Sequence, residues 1–300
     1  MPELPEVESL RRDLTPTIVG RSIQRVDIGL PKLFRPVPGL SAADLCGRAV
    51  ERLRRRAKIL ILDLSDGLAL LIHLKLAGQL VHVSADGQEL AHGGHPVPRW
   101  GFPLPHKATH VIFRFDDGST LYLTDIRQFC RLWLMHADEV DGFLEEQGFG
   151  PEPLTEDFSV PGFRARLRRR SIPIKTALLD QGVVGGIGNI YADESLWEAR
   201  IHPRRTANSL TLPEIKRLHA AVRSVLAYAL REGVATVLQG KALPERDFPY
   251  AHGRGGGPCF RGCGATMEKE WVGGRGTHWC PRCQKLPRAR PVAAGTPSSG

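Results

Sequence analysis

The chain of 300 residues has no apolar run of membrane-spanning length and no segment with the features of a secretory signal. Cysteine is scarce, with six residues in all. We therefore expect a protein of the cytoplasm, a reducing compartment in which disulfide bonds are rare. These features argue against a membrane protein and against a secreted scaffold built on disulfides.

Acidic residues are fewer than basic ones. Lys and Arg number 41 against 32 Asp and Glu, which gives a net charge of +9 and a pI near 9.5. This balance favours a polyanionic partner, and we expect nucleic acid. An anionic membrane surface and simple solubility are the alternatives, but no basic amphipathic anchor is present. The length suffices for about two domains, and no internal repeat is found.

Four of the six cysteines form a cluster near the C-terminus. Cys259 and Cys263 are followed by Cys280 and Cys283, a spacing typical of one tetrahedral structural zinc ion. Disulfides and free thiols are the alternatives. The remaining two cysteines, Cys46 and Cys130, are expected to be small buried hydrophobic residues.

The segments between the cysteine pairs predict a β-hairpin closed by the metal. Strand-like residues occupy 266–271 and 277–279, and the tip is predicted at 272–276. This tip carries Arg275 among glycines, where an arginine is well placed to reach a phosphate or a nucleotide.

The N-terminus has a pattern with two interpretations. Pro2 is small enough that Met1 is normally removed, which leaves a secondary amine with a pKa near ~8 that can form a Schiff base. Glu3 and Glu6 follow and are candidates for general acid or base. The alternative is an ordinary helix start, with proline in the first turn and acidic residues at the positive end of the helix dipole. Helical spacing of apolar residues supports a helix over 4–14.

The middle of the chain is predicted to be β. Apolar strands at 59–64 and 69–74 flank a Ser-Asp-Gly turn, and strands at 111–115 and 121–123 flank an Asp-Asp-Gly turn. Many short strands between about 17 and 137 predict a β-sandwich. Residues 84–108, rich in Gly, Pro and His, are expected to form a surface loop.

After a Gly-Pro-Glu-Pro boundary at 150–153 the period becomes helical. Helices are predicted at 163–170, at 174–180, from about 189 to 199, and from Thr211 to about Arg231. The glycine run at 185–188 lacks the context of a dinucleotide fingerprint. It predicts a tight turn between helices that allows a nucleic-acid backbone to approach closely. Residues from Gln284 onward, with 287–300 as the tail, have a composition typical of disorder.

Taken together, these features resemble the formamidopyrimidine-DNA glycosylases and their endonuclease VIII-like relatives, over nearly the whole chain to about Lys285. The start at Leu4 favours the formamidopyrimidine branch. The strings that carry the resemblance are Pro-Glu-Leu-Pro-Glu-Val-Glu at 2–8, Arg-Ala-Lys at 56–58, Ile-His-Leu at 72–74, Gly-Pro-Glu-Pro-Leu at 150–154, Val-Gly-Gly-Ile-Gly-Asn-Ile-Tyr-Ala-Asp-Glu-Ser at 184–195, Ile-His-Pro at 201–203 and Cys-Pro-Arg-Cys-Gln-Lys at 280–285.

The resemblance implies an α+β fold. A catalytic N-terminal helix with a β-sandwich would span 1–150, and a helix–two-turn–helix DNA-binding domain would span 151–235. A lesion-side loop and a zinc ribbon hairpin would span 236–286. Damaged double-stranded DNA would lie in the cleft between the two halves of a monomer.

The resemblance also implies a reaction. The lesion is extruded from the duplex, the amine of Pro2 attacks C1′, and the base leaves. Glu3 protonates the sugar ring oxygen. Lys58 assists β-elimination and Arg275 assists δ-elimination, and no catalytic cofactor is needed. For Lys58 alone, a solvated strand-end lysine is the alternative.

Further residues are implied to contact DNA. His73, Asn189 and Arg170 would contact the backbone, Phe129 would enter the gap left by the extruded nucleotide, and Arg127 would face the orphaned base. The alternative for Asn189 is turn capping, and for Phe129 it is core packing.

Several positions depart from the family pattern and bear on the lesion. Leu76, implied to contact DNA, stands where a methionine that fills the lesion's place in the stack is usual, and Gln128 and Cys130 replace a usual arginine and glycine. His252 replaces a tyrosine, and the segment 234–251 is shorter than expected. These changes suggest a preference shifted towards formamidopyrimidines, saturated pyrimidines or abasic sites. A damage-binding protein without lyase activity is an alternative function. A zinc hydrolase is disfavoured because four cysteines leave zinc no open position.

Overall fold

Two five-stranded sheets form the N-terminal half, and helices followed by a two-stranded hairpin form the C-terminal half. The computed structural model describes residues 1–96, 99, 101–232 and 248–286. The helices are α1 (Leu4–Ile18), α2 (Val140–Glu146), α3 (Val160–Arg168), α4 (Ile174–Leu179), α5 (Asn189–Glu198) and α6 (Leu212–Arg231). The strands are β1 (Ile23–Ile28), β2 (Phe34–Pro36), β3 (Val50–Arg56), β4 (Ile59–Leu64), β5 (Leu68–His73), β6 (Gly78–Val83), β7 (Glu89–Gly94), β8 (Thr109–Phe115), β9 (Thr120–Asp125), β10 (Arg131–His136), β11 (Glu268–Val272) and β12 (Arg275–Trp279).

The strand order is β1-β8-β9-β6-β7 in the first sheet and β2-β10-β5-β4-β3 in the second. All pairs within them are antiparallel except β2 with β10. Both predicted hairpins are present, as β4–β5 and β8–β9. The α+β class with an N-terminal sandwich and a C-terminal hairpin is thereby confirmed.

The sandwich core lies between the two sheets and α1. Alternate residues of β8, such as Val111 and Phe113, point inward, and α1 contributes Val7, Leu10 and Leu14 at helical spacing. The second sheet is also covered on its outer face, where Val140 of α2 and neighbouring side chains pack on the strands. Burial on both faces explains why β4 and β5 are nearly continuous apolar runs in the sequence.

The helical half has its own core around α3, α5 and α6. The long helix α6 begins at the predicted capping box, in which Thr211 and Glu214 bond each other's backbone N–H groups. None of the described helices combines the length and the apolar composition that a membrane crossing requires.

Several predictions from sequence were wrong in detail. The segment 84–108 contains strand β7, whose alternation is masked by glycine and histidine, and the structure leaves residues 97, 98 and 100 outside its described ranges. Cys46 is exposed rather than buried, whereas Cys130 is buried as expected. The first helix runs on to Ile18, and α3 lies three residues earlier at its start than predicted.

Candidate active site and nucleic-acid interface

One carboxylate joins the N-terminal helix to the helical half. Glu3, which precedes α1, is 2% exposed. Its Oε2 accepts hydrogen bonds from the backbone N–H groups of Gly188 (2.7 Å) and Tyr191 (3.3 Å), and its Oε1 accepts one from Ile190 (2.9 Å). These N–H groups at the first turn of α5 have no partner within the helix, and the helix dipole favours an anion there. Glu3 therefore caps a helix whose N-cap lies 185 residues away.

The glycine run between α4 and α5 makes this contact possible. A Cβ at Gly188 would lie 2.4 Å from Cδ of Glu3, and one at Gly186 would lie 2.7 Å from side-chain atoms of Leu4. Gly186 also has a φ of +87°, and its carbonyl accepts the N–H of Leu4 at 3.0 Å. The predicted turn between helices is present, and what approaches it closely in this structure is the protein's own N-terminus.

The N-terminal amine lies among four ionisable side chains. Burial lowers the pKa of the Met1 amino group, Glu3 and Glu6 act in the opposite direction, and Lys58 and Arg275 lower it further. Glu3 and Glu6 lie at the start of α1, Lys58 lies in the turn after β3, and Arg275 lies in the hairpin of β11 and β12. A lowered pKa leaves more of the amine neutral near pH 7 and hence nucleophilic. Pro2 itself is buried, so removal of Met1 would leave its amine in the same surroundings.

Glu6 is a second buried carboxylate next to Glu3. Its Oε2 accepts the backbone N–H of Glu3 at 2.8 Å, and its Oε1 accepts the hydroxyl of Tyr191 at 2.7 Å. Burial, helped by the charge of Glu3, raises the pKa of Glu6 to about 7. The site thus holds a carboxyl group that exchanges protons near neutral pH. The helix-start interpretation of these acidic residues is also correct, since Glu6 bonds the N–H ahead of α1.

Lys58 follows a residue with left-handed backbone, Ala57, at the end of β3. It is 6% exposed and its Nζ donates to the carbonyl of Ile187 at 2.7 Å. Burial lowers the pKa of Lys58, against the opposing charges of Glu3 and Glu6. The structure thus excludes the interpretation of Lys58 as a solvated strand-end lysine.

A carboxylate from the other half of the protein holds the turn before Lys58. Glu152 Oε1 accepts the backbone N–H of Ala57 at 2.6 Å, and Arg55 and Arg56 donate to the same carboxylate at 2.8–3.1 Å. The Arg56 guanidinium also reaches the carbonyl of Gly150 at 2.7 Å. The sequence placed Glu152 in a boundary motif, and no local signal indicated that it bonds the turn at Ala57.

The hairpin that carries Arg275 is anchored to the helical half. Asn189 Nδ2 donates to the carbonyl of Gly276 at 3.0 Å, and Lys175 Nζ donates to the same carbonyl at 2.8 Å. Lys175 is fully buried and also lies 2.7 Å from Asp193. Arg275 itself is exposed and is the first residue of β12 rather than part of a five-residue tip. The N-cap of α5 is Gly188, so Asn189 does not cap the helix.

His73 lies at the end of β5 with one ring nitrogen already in use. Its Nδ1 accepts the backbone N–H of Lys75 at 2.9 Å. Burial, together with Lys75 and Lys58, lowers the pKa of His73 to about 3. The ring is therefore neutral at physiological pH, with its proton on Nε2, where it is free to be donated to a phosphate oxygen.

The loop after β9 exposes an aromatic ring and a guanidinium side by side. Phe129 is 42% exposed, which excludes the core-packing alternative, and the guanidinium of Arg127 lies 5.1 Å from the centre of its ring. The buried carboxylate of Asp125 accepts the backbone N–H groups of Arg127, Phe129 and Cys130 at 2.7–2.9 Å. Gln128 adopts a φ of 57° between them. We call residues 126–129 the wedge loop.

Leu76 and Arg170, two further residues expected to contact DNA, lie in different surroundings. Leu76 is half-buried and follows Lys75 in the turn between β5 and β6. Arg170 lies after α3 and donates two hydrogen bonds to Asp180 at 2.8 and 3.0 Å. Arg170 is not among the groups whose charges shift the pKa of the N-terminal amine.

The four cysteines of the C-terminal cluster converge. Their sulfur atoms all lie within 4.8 Å of one another, and those of Cys263 and Cys280 are 3.5 Å apart. A tetrahedral zinc site with Zn–S bonds near 2.3 Å requires sulfur atoms about 3.8 Å apart, so these residues fit the metal. Gln284 is fully buried, accepts the N–H of Cys280 and donates to the carbonyl of Ile201. The expectation of disorder was therefore wrong at Gln284, and residues 287–300 lie outside the described ranges.

Comparison with known proteins identifies the family. Residues 1–132 match the formamidopyrimidine-DNA glycosylase N-terminal domain, and residues 149–239 match the H2TH domain of the same glycosylases. Residues 256–286 match a zinc finger found in FPG and IleRS. The chain belongs to the formamidopyrimidine-DNA glycosylase family. The resemblance seen in the sequence is thereby confirmed, and the finger match supports a structural zinc ion.

Individual members of the family resemble the chain over nearly its whole length. The formamidopyrimidine-DNA glycosylase of Heliobacterium modesticaldum is 41% identical over 95% of this chain and 100% of the relative. That of Streptococcus pneumoniae is 36% identical over 95% and 99%. The structure of Lactococcus lactis Fpg in complex with DNA containing FAPY-dG superposes with a TM-score of 0.83 at 33% identity, covering 95% and 100% of the two chains.

Proposed function

We propose that this glycosylase-family protein excises oxidised bases from damaged double-stranded DNA and then cleaves the resulting abasic site. One observation carries the proposal. A buried N-terminal amine with a lowered pKa lies among Glu3, Glu6, Lys58 and Arg275. The Lactococcus lactis relative binds FAPY-dG and abasic-site DNA, which are a substrate and an intermediate of this reaction.

In the first step, the amine of Pro2 attacks C1′ of the extruded nucleotide and the bond to the base breaks. We assign protonation of the sugar ring oxygen to Glu3, whose carboxylate is fixed beside the amine by three backbone N–H groups. Ring opening then leaves a Schiff base between Pro2 and the sugar. The neighbouring Glu6, which titrates near pH 7, is a local source and acceptor of protons.

In the later steps, the Schiff base withdraws electrons and the two phosphates leave by β- and then δ-elimination. We assign the β step to Lys58, because burial lowers its pKa and so favours the neutral amine that can accept a proton. We assign the δ step to Arg275, which is exposed on the anchored hairpin and whose charge lowers the pKa of the N-terminal amine. No step requires a catalytic cofactor, and the zinc ion serves to hold the hairpin.

Contacts with DNA are assigned to residues around this centre. His73, Asn189 and Arg170 would bind backbone phosphates, with the neutral His73 donating from Nε2. Phe129 and Leu76 would fill the space of the extruded nucleotide, and Arg127 would contact the orphaned base. We expect the protein to act as a cytoplasmic monomer.

The preferred lesion is a separate proposal. Leu76 is shorter and stiffer than the usual methionine, and Gln128 removes one positive charge from the wedge loop. We expect formamidopyrimidines, saturated pyrimidines or abasic sites to be processed faster than 8-oxoguanine. Most of the shortened segment 234–251 lies outside the described residues. Equal excision of 8-oxoguanine and the other lesions opposite cytosine would contradict this preference.

Borohydride trapping tests the reaction. The protein, with removal of Met1 verified by mass, is mixed with duplexes that carry each lesion, and the reductant converts the Schiff base into a stable adduct. We expect an adduct with the wild type and none with Pro2→Gly that retains Met1. Tight binding without an adduct on any duplex would instead support a damage-binding protein.

A further inference from the structure

Three basic side chains continue from His73 across the outer face of the second sheet. Arg131 of β10 pairs with His73 of β5, and Trp133 of β10 pairs with Arg35 of β2. Paired residues, and residues two apart on a strand, share a face, so His73, Arg131 and Arg35 lie on the same side. Lys75 follows two residues after His73 and bonds its ring. We call Lys75, Arg131 and Arg35 the basic track.

Among the residues that the structure describes, the basic track has no counter-charge. In the part of the chain that the structure describes, no carboxylate lies within ion-pair distance of any of these three side chains. Elsewhere on the same sheet the arginines are neutralised, as Arg52 and Arg54 are by Asp63. The contrast shows that the track is not simply part of an evenly mixed surface.

The three charges also act on one another. Burial and the charges of Arg131 and Arg35 lower the pKa of Lys75. Arg131 is held in place by the carbonyls of Phe129 (3.1 Å) and Cys130 (2.8 Å). Fixing like charges together is unfavourable in the free protein. An anion bound along the track would remove that cost.

We propose that the basic track binds phosphate groups of the DNA backbone where the duplex passes from the reacting nucleotide over the wedge loop. This inference rests on the proposed function, since it takes DNA as the ligand. Lys75 adjoins His73, and Arg131 bonds the carbonyl of Phe129 in the wedge loop, so the track would extend the interface beyond the phosphates next to the reacting sugar. Such contacts position the duplex and carry no information about the lesion or the sequence.

The test measures DNA affinity as a function of salt. Lys75→Met, Arg35→Met and the double variant are titrated, by fluorescence anisotropy, with a duplex that contains an uncleavable tetrahydrofuran abasic analogue. Removing one charged side chain from a phosphate lowers the slope of log Kd against log salt by about 0.9. We expect that decrease for each single variant and twice that decrease for the double variant. Arg131 is left unchanged because it also bonds the wedge loop.

The matched control is Arg52→Met, which removes one charge from an exposed arginine on the same sheet. It is expected to keep the wild-type slope. Arg35→Lys and Lys75→Arg, which keep the charge, are expected to restore it. Thermal unfolding of every variant separates weaker phosphate binding from a destabilised fold.

A second readout locates the phosphates that the track binds. Replacing one phosphate at a time by an uncharged methylphosphonate weakens wild-type binding at each bound position. If a side chain binds a given phosphate in the wild type, replacing that phosphate should not weaken DNA binding by the variant that lacks the side chain. Variant slopes equal to those of the wild type and Arg52→Met would overturn the inference while leaving the proposed function intact. A wild type that binds no duplex would overturn both.

Discussion

The surroundings of the N-terminal amine, formed by Glu3, Glu6 and Lys58 and here called the amine site, are built in the opposite way to the wedge loop. Around the amine, Glu3, Glu6 and Lys58 are buried, and their partners come from distant segments, up to 188 residues apart in the case of Glu3 and Tyr191. In the wedge loop, Arg127 and Phe129 are exposed, and one carboxylate no more than five residues away holds the backbone. Under the proposed function, this difference matches two tasks: the reacting groups need desolvation and assembly from both halves, whereas a residue that enters the duplex needs only a stiff exposed loop.

The largest expected effect comes from Glu3→Gln. The amide would turn an NH₂ group towards N–H donors of α5 and would remove the acid assigned to the sugar ring. We expect base excision in single turnover to fall by about 10³-fold, within the range for loss of a general acid, and stability to fall by about 1–3 kcal/mol. Glu51→Gln, at an exposed position of β3, is the control. Wild-type excision by Glu3→Gln would remove Glu3 from the mechanism.

Removing zinc should disrupt the amine site but leave the wedge loop intact. Without the metal the hairpin unfolds, which displaces Arg275 and the Gly276 carbonyl bonded by Asn189 and Lys175. We expect strand cleavage to fall by about 100-fold, the size expected for loss of one charge-stabilising donor, with the β-elimination product enriched over the δ product. Gel analysis after chelation, and after zinc is restored, checks this. Unchanged products would show that the hairpin folds without the metal.

The raised pKa of Glu6 makes the stability of the folded protein depend on pH. Its pKa is raised from 4.5 to about 7, so the folded protein binds the proton more tightly than the unfolded chain. The stability contributed by this group is therefore complete below pH 4.5 and declines as pH rises to about 7, by up to about 3 kcal/mol. Glu6→Gln should flatten this decline. Urea unfolding between pH 5 and 8 measures it, and Glu194, with a similar pKa, retains part of the slope.

Asp125→Asn should affect the wedge loop alone. The amide can accept from one side of the loop, but its NH₂ group faces N–H donors on the other. We expect excision from duplex DNA to fall about tenfold, equivalent to the loss of one or two hydrogen bonds, while cleavage of a single-stranded abasic site is unchanged. Asp116→Asn, in the exposed turn before β9, is the control. Equal losses on both substrates would show that Asp125 supports the amine site as well.

What the sequence could predict follows the same division. The helix start, both hairpins and the cysteine cluster depend on residues close together in the chain, and all were predicted. The bonds of Glu152 to Ala57 and of Lys175 to Gly276 join residues about a hundred positions apart, and no local pattern indicates them. Asp125 is local, but its role requires knowing that three N–H groups converge. Strand β7 was missed because glycine and histidine hide its alternation.

The bonds from Glu3 to α5 have a consequence for the order in which the enzyme becomes reactive. The amine is the first part of the chain to leave the ribosome, yet the helix that fixes Glu3 begins only at Asn189, and Arg275 emerges later still. Until then the amine is solvated, has an ordinary pKa and is mostly protonated. If the amine is the nucleophile, as proposed, a nascent chain carries it in a mostly protonated and unreactive form, and the site is complete only once the last strand has been synthesised.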